Sequence, residues 1–159
     1  MKKVILLALI ALITNSLLGC SSDNNAEISG VYEFEGAVYL SSLSSSSIEN
    51  IEKHMEGTVY TINKDSFEIV SSEYLYKISD PSYERIEMDN DIVETFNDAV
   101  FDAVSISEYK EKYQYIIHTK ENGQVKFYLY SMDDELWIAS YMGNTANNTV
   151  LIMDIYKLK

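Results

Sequence analysis

Residue types that carry cross-links or catalysis are scarce in this sequence. There is one cysteine among 159 residues, Cys20, so no disulfide can form within one molecule. The two histidines, His54 and His118, have no histidine or cysteine at metal-ligand spacing beside them. The chain also lacks a nucleophile-elbow motif, a phosphate-binding glycine loop and a dinucleotide fingerprint. We therefore predict no catalytic residue, no metal site and no cofactor, and we expect the protein not to be an enzyme.

Positive charge is scarce as well. Twelve Lys and Arg residues stand against 25 Asp and Glu residues, and Arg85 is the only arginine. Such an acidic chain is repelled by nucleic acid and offers no polybasic patch to anionic lipids. With one arginine, it also has few groups for bidentate recognition of phosphates or carboxylates. These features predict no nucleic-acid partner. They also indicate that any membrane attachment does not come from basic side chains that bind anionic lipids.

Only one long apolar run is present, and it lies at the start of the chain. Val4 to Ile13 is uninterrupted but shorter than the roughly 20 residues that span a bilayer. It follows the basic start Met1-Lys2-Lys3 and precedes Leu17-Leu18-Gly19-Cys20. A basic start, a short apolar segment and a small residue before the cut are typical of a secretory signal. The final four residues resemble the lipobox of bacterial lipoproteins.

The lipobox resemblance implies how the mature chain begins. In that family the peptide is cut before the cysteine, here between Gly19 and Cys20, and the thiol carries a diacylglyceryl group. The new amine often takes a further acyl chain such as palmitate. We expect residues 1–19 to be a signal peptide, 20–27 a lipidated cysteine with a flexible tether, and 28–159 one globular domain. The protein would be exported and lipid-anchored in the cell membrane or outer membrane, with an uncleaved anchor or plain secretion as alternatives.

Strand patterns dominate the mature chain. Period-two alternation and β-branched or aromatic runs predict eight strands: Gly30–Leu40, Thr58–Asn63, Ser66–Ile78, Tyr83–Met88, Tyr113–Thr119, Gln124–Ser131, Glu135–Tyr141 and Thr149–Leu158. Asn122-Gly123 favours a tight hairpin, because both residues tolerate positive φ. The last four strands are predicted to form an antiparallel meander. Pro81 is predicted to end the third strand.

Two segments have helical spacing instead. Ile48, Ile51 and Met55 predict a short helix, with Ser47 as its N-cap and Gly57 as its stop. A second helix is predicted after Asp91, which would be its N-cap. Its apolar stripe is interpreted as core, with a partner-binding face as the alternative; the stripe comprises Ile92, Val93, Phe96, Val100, Phe101 and Val104.

These patterns predict a mainly β (α+β) fold, an antiparallel sheet or small closed barrel of about eight strands with one or two short helices. An open sheet with helices on one face is the alternative. Gly30-Val31-Tyr32 and the late meander are similar to lipocalin-like (calycin) barrels. Those barrels usually have Gly-x-Trp here and a basic residue near the last strand that packs over the Trp. Tyr32 replaces the Trp, and Lys157 is a loose counterpart of the basic residue. The predicted second helix lies mid-chain, whereas the helix of those barrels usually lies near the C-terminus.

Tyrosine is the unusually abundant residue, with thirteen copies. The pairs Tyr74/Tyr76, Tyr113/Tyr115 and Tyr128/Tyr130 are two residues apart, so each pair projects from one face of a strand. Trp137 lies in the next predicted strand. One interpretation is a surface for a ligand or partner, formed by Tyr113, Tyr115, Tyr128, Tyr130 and Trp137. The other is that tyrosines suit half-buried strands.

The leading functional prediction is a membrane-anchored envelope lipoprotein whose non-enzymatic domain binds a small amphipathic ligand, as lipocalin-like barrels do. The alternative is a protein interaction or inhibitor module that contacts another envelope protein. A hydrolase is disfavoured, because it would need acids, or a histidine with acids, to converge in a cleft. A hollow lined by aromatic residues would favour the ligand-binding interpretation, and an exposed aromatic patch the interaction module.

Overall fold

The computed structural model describes residues 26–88, 104, 106–121, 123–144 and 149–159. The predicted signal peptide, Cys20, most of the predicted tether and most of the predicted second helix lie outside these residues. In the described part, no helix has the length and hydropathy needed to cross a membrane. Among these residues the α-helix α1 spans Ile48–Met55, and two short 3-10 helices span Ala26–Ile28 and Ile106–Glu108. The strands β1–β9 span Gly30–Leu40, Val59–Ile62, Ser66–Val70, Leu75–Ser79, Pro81–Glu87, Lys112–Thr119, Val125–Met132, Glu135–Asn144 and Thr149–Leu158.

The strands form one antiparallel sheet in the order β4-β3-β2-β1-β9-β8-β7-β6-β5. Strands that follow one another in the chain pair with each other, and β1 also pairs with β9. The two edges of the sheet are β4 and β5, which are joined through Asp80 alone. The sheet therefore curls until its two edge strands are separated by one residue of the chain, and it forms a nearly closed barrel. This confirms the predicted mainly β fold, with nine strands where we expected about eight.

The barrel has two corners at which the chain passes from one half of the sheet to the other. The first four residues of β1 pair with β2, whereas residues 34–40 pair with β9 across two register shifts. At the other corner, Asp80 has a positive φ of 51° between β4, which pairs with β3, and β5, which pairs with β6. The half formed by β2–β4 thus faces the half formed by β6–β9.

The region around Pro81 corrects one sequence prediction. The segment predicted as a single strand, Ser66–Ile78, is split into β3 and β4, because the Ser71 hydroxyl accepts hydrogen bonds from the backbone N–H groups of Glu73 and Tyr74. Such a local turn ends the strand ladder. Pro81 begins β5 rather than ending the strand before it. Proline lacks an N–H group, and it is tolerated as the first residue of an edge strand.

Other local predictions are confirmed. The Ser47 hydroxyl accepts from the backbone N–H of Asn50 at 3.3 Å and caps α1. Gly57 follows α1 with a φ of 73°, and Gly123 has a φ of 64° in the connection between β6 and β7. Both values lie in the left-handed region, where glycine has no steric penalty. The strand β1 has the predicted bounds, Gly30–Leu40.

The sheet carries apolar side chains on both faces. The main core lies inside the barrel and includes Phe34, Tyr60, Phe67, Tyr115 and Leu129. A second cluster lies on the outer face of β7–β9, where Val104 and Ile106 pack against Trp137 and Tyr130. Because both faces are buried there, these strands are apolar at successive positions and do not strictly alternate.

Candidate functional site

The five residues predicted as a binding surface lie on two different faces of the sheet. Tyr113 and Tyr115 pack in the main core, and Tyr128, Tyr130 and Trp137 belong to the outer cluster. Tyr115, Tyr130 and Trp137 are at most 2% exposed. Their Cα pairing explains this, since Tyr130 lies opposite Trp137 while Tyr115 lies opposite Leu129. These five side chains therefore do not form one surface, and three of them are packing residues.

A hollow lies elsewhere, inside the barrel between its two halves. Its volume is about 220 Å³. The β2–β4 half, including the residue just before β4, contributes Tyr60, Ile69, Tyr74 and Tyr76, the β7–β9 half contributes Phe127, Ile138, Ser140, Asp154 and Tyr156, and Met55 at the end of α1 completes the lining. We call this space the aromatic cavity. Five of its ten lining residues are aromatic, so π faces dominate its walls.

Aromatic contacts between the two halves hold these walls in place. The ring of Phe127 contacts Tyr76 edge-on at 5.4 Å between centroids, and it also packs against Phe67 at 5.2 Å. Tyr156 contacts Phe34 edge-on at 5.5 Å. Phe127 on β7 contacts β3 and β4, which are not its neighbours in the sheet, so these two contacts cross the interior, whereas Tyr156 and Phe34 lie on the neighbouring strands β9 and β1. Tyr74, which is 47% exposed, lies where the aromatic cavity meets solvent.

Two polar side chains line the aromatic cavity on adjacent strands. Ser140 on β8 and Asp154 on β9 are direct Cα partners, and both lie on the inner face with Ile138 and Tyr156. Asp154 Oδ1 is buried and has no hydrogen-bond partner among the described residues. Nor does any described Lys, Arg or His lie within salt-bridge distance of this carboxylate. An unsatisfied buried carboxylate oxygen is costly, so a ligand, an ion or a water molecule is expected as its partner.

The tyrosines around Asp154 remain protonated at neutral pH. Burial raises the pKa of Tyr60, Tyr74 and Tyr156 above the ordinary value near 10, and the negative charge of Asp154 raises it further. Burial also raises the pKa of Tyr76. The aromatic cavity therefore presents neutral rings and hydroxyl groups together with one carboxylate.

Part of this site is visible in the sequence. The pair Tyr74/Tyr76 lines the aromatic cavity, but it is not among the five residues of the predicted surface. Asp154 is not among them either, although a single carboxylate within the apolar run 150–156 is a usable signal. Tyr60, Phe127 and Tyr156 could not be found from the chain, because the curvature of the sheet brings them together from separate strands.

A polar cluster joins the start of the described chain to the barrel. Glu27, in the short turn before β1, accepts a hydrogen bond from the Tyr115 hydroxyl at 2.9 Å and pairs with Arg85 at 3.2 Å. The Arg85 guanidinium lies 3.8 Å above the ring of Tyr113. Burial and the hydrogen bond to Glu27 raise the pKa of Tyr115 to about 12. In the barrel resemblance, a basic residue near the last strand packs over an aromatic ring. Here Arg85 on β5 packs over the ring of Tyr113, whereas Lys157 on the last strand forms ion pairs with Glu135 and Glu35.

The two histidines lie apart, His54 on α1 and His118 on β6. His54 is exposed on α1, where its Nδ1 lies 2.6 Å from the carbonyl oxygen of Asn50. His118 contacts the Gly123 carbonyl through Nδ1 and Glu84 through Nε2, so both of its ring nitrogens are occupied. Over the described ranges, no group of three His, Cys, Asp or Glu side chains is placed to hold a metal ion.

Comparisons with known proteins add no relative. No family model, no curated protein and no solved structure matches this chain.

Proposed function

We propose that this protein is a lipid-anchored lipoprotein of the cell envelope whose barrel binds a small amphipathic ligand in the aromatic cavity. The lipobox-like motif that ends at Cys20 supports the anchor. Six residues, 20–25, separate the lipid from the described chain and span at most about 20 Å. The barrel would therefore stay close to the membrane surface.

The observation that carries the binding proposal is the aromatic cavity itself. Ligand sites are typically concave and apolar with a few placed polar groups, and here Ser140 and Asp154 are such groups. At about 220 Å³, the hollow exceeds the roughly 150 Å³ apolar cavity that takes up benzene. It is smaller than the range of about 300–1,000 Å³ for drug-sized ligands. A molecule of benzene size or slightly larger fits best.

A second candidate function is supported by an exposed apolar tip. Val70 and Leu75 are Cα partners at the end of the β3–β4 hairpin, and they are 41% and 67% exposed. With the exposed Tyr74 between them in the chain, they form a small patch suited to contact with another envelope protein. Tyr74 belongs both to this tip and to the lining of the aromatic cavity, so a partner bound at the tip would lie beside the cavity.

Blocking the aromatic cavity tests the binding proposal. We would titrate hexan-1-ol, hexylamine and hexanoate into the purified barrel by calorimetry, and we expect saturable 1:1 binding of at least one of them. Ser140→Leu places a larger side chain in the cavity and should abolish that binding. The exposed position Ser72 provides the control, since Ser72→Leu should bind as the parent does. The proposal fails if no probe saturates, or if Ser140→Leu binds as tightly as the parent.

The anchor is tested by removing its thiol. Cys20→Ser removes the thiol that would carry the lipid, so it should abolish incorporation of a labelled fatty acid. The protein should then move from the membrane fraction to the soluble envelope fraction, because stable attachment needs two or more acyl chains. A second substitution in the same segment, Ser22→Ala, should leave both readouts unchanged. Equal labelling of Cys20→Ser and parent, or labelling of neither, would rule out lipidation at this residue.

A further inference from the structure

We infer that the ligand of the aromatic cavity is a small organic cation, a quaternary or primary ammonium group, recognised by tyrosine rings and the Asp154 carboxylate. This inference rests on the proposed binding function and narrows its ligand class. It follows from three features of the cavity: the chemistry of its walls, its unbalanced charge and its size.

The walls suit a cation. The face of an aromatic ring carries negative electrostatic potential and attracts ammonium groups within about 6 Å. Tyr60, Tyr74, Tyr76 and Tyr156 surround the space together with Phe127. Because burial raises the pKa of all four tyrosines, they act as neutral rings at physiological pH. An aromatic lining of this composition is typical of sites for methylated ammonium groups.

The charge of the site is unbalanced without a ligand. Asp154 is the one charged side chain among the ten lining residues, and its Oδ1 is buried without a hydrogen-bond donor from the described part of the chain. A buried carboxylate usually pairs with a cation. Here the partner would be the ammonium group of the ligand, which would also contact the faces of the aromatic rings. An anionic ligand such as a fatty acid would meet this carboxylate at close range and is excluded.

The molecule as a whole favours the same sign of ligand. With 12 basic against 25 acidic residues, its field concentrates cations near the surface and repels anions. The volume of about 220 Å³ limits the cation to the size of a headgroup or a short amine. A free cation and the headgroup of a zwitterionic lipid share this chemistry.

The test compares a cation with its neutral isostere. Choline and 3,3-dimethylbutan-1-ol have nearly the same shape, and only choline carries a charge. Calorimetric titration of the barrel should give choline an affinity at least about tenfold higher than that of the alcohol. Asp154→Asn should weaken choline binding at least about tenfold and change alcohol binding less than about threefold. Asp134→Asn removes the same charge at an exposed site and should bind choline as the parent does.

Two further variants and measurements keep the test independent of folding. Tyr74→Leu alters a half-exposed ring and should weaken choline binding several-fold at an unchanged midpoint of thermal unfolding. Asp154→Asn keeps the size of the side chain and an oxygen that accepts hydrogen bonds, so it should unfold at a temperature close to that of the parent. Lower stability together with unchanged choline binding would make Asp154 a structural residue and overturn the inference.

The outcomes separate this inference from the function on which it rests. If the alcohol binds as tightly as choline, the aromatic cavity takes apolar ligands generally, so the proposed function holds and the cation inference fails. If neither choline nor the alcohol saturates and the six-carbon probes also fail to bind, the proposed function and the cation inference are both wrong.

If choline binds as expected, glycerophosphocholine identifies the source of the cation. Binding equal to that of choline supports a lipid headgroup, and weaker binding supports a free cation.

Discussion

At the scale of single residues, Glu135 organises the outer face of the sheet. Its Oε1 accepts from Lys157 Nζ at 2.9 Å, and its Oε2 accepts from Trp137 Nε1 at 2.9 Å and from the Tyr109 hydroxyl at 3.2 Å. The hydrogen bond from Lys157, followed by the one from Trp137, lowers the pKa of Glu135 below its usual value. One carboxylate thus satisfies the indole N–H of the only tryptophan.

This network predicts a pH-dependent loss of stability in Glu135→Gln. A lowered pKa in the folded state means that the ionised carboxylate stabilises the fold above its unfolded pKa of about 4.3, and that this contribution disappears as the pH falls through the folded value. At pH 7 the variant should lose on the order of 1 kcal/mol of unfolding free energy, and its difference from the parent should shrink below about pH 4. Urea unfolding followed by Trp137 fluorescence measures both.

The control removes a charge without removing a network. Glu87 is exposed on the edge strand β5, so Glu87→Gln should change stability by less than about 0.5 kcal/mol at either pH. A parent–Glu135→Gln difference that stays constant from pH 7 to pH 3 would contradict the role assigned to this carboxylate.

At the scale of elements, the barrel depends on a one-residue corner at Asp80. The φ of 51° at this position lies in the left-handed region, which a side chain that branches at Cβ rarely adopts. The Asp80 carboxylate pairs with Lys120 on the surface, where an ion pair contributes little. The backbone conformation, not the charge, is therefore the feature that the corner requires.

Substitutions at Asp80 separate backbone conformation from charge. Asp80→Val should lower the unfolding free energy by about 1–2 kcal/mol, because the branched side chain clashes with the backbone at positive φ. Asp80→Asn removes the same charge but tolerates this conformation, and it should stay within about 0.5 kcal/mol of the parent. Chemical denaturation of the three proteins measures the order. Equal losses in both variants would assign the effect to the ion pair with Lys120.

At the scale of the whole molecule, the last strand lies in the middle of the sheet. β9 pairs with β1 on one side and with β8 on the other, and Lys159 exchanges two backbone hydrogen bonds with Glu33. The two ends of the domain are thus bound together, and the open seam of the barrel lies between β4 and β5. Residues of β9 should therefore contribute far more to stability than residues of the edge strands.

Two leucines provide a matched test of this arrangement. Leu158 on β9 is 3% exposed, and Leu75 on the edge strand β4 is 67% exposed. Leu158→Ala should lose about 2–5 kcal/mol of unfolding free energy by leaving a cavity in the core. Leu75→Ala should change it by less than about 0.5 kcal/mol. Thermal and urea unfolding of both variants would contradict the central position of β9 if the two losses were similar.

The sequence by itself determined the elements and the class of fold. Period-two alternation predicted β1 with its observed bounds, and Ser47 predicted the start of α1. Gly57 predicted the end of α1, and Gly123 predicted the turn between β6 and β7. These features depend on neighbours along the chain, so local propensity and turn chemistry suffice to reveal them. The prediction of a single strand over Ser66–Ile78 was wrong, because hydrogen bonds to the Ser71 hydroxyl end the ladder there and divide the segment into β3 and β4.

Tertiary structure alone decided which aromatic residues line the cavity. Tyr128, Tyr130 and Trp137 had the pattern of a binding surface, yet Val104 and Ile106 cover that face and make it core. Asp154 and Tyr156 share one face of β9, and the curvature of the sheet at Asp80 and within β1 brings Tyr60 and Tyr76 to the same hollow. A strand pattern states which residues share a face, but the curvature and the covering segments decide whether that face encloses a hollow or packs against another part of the chain.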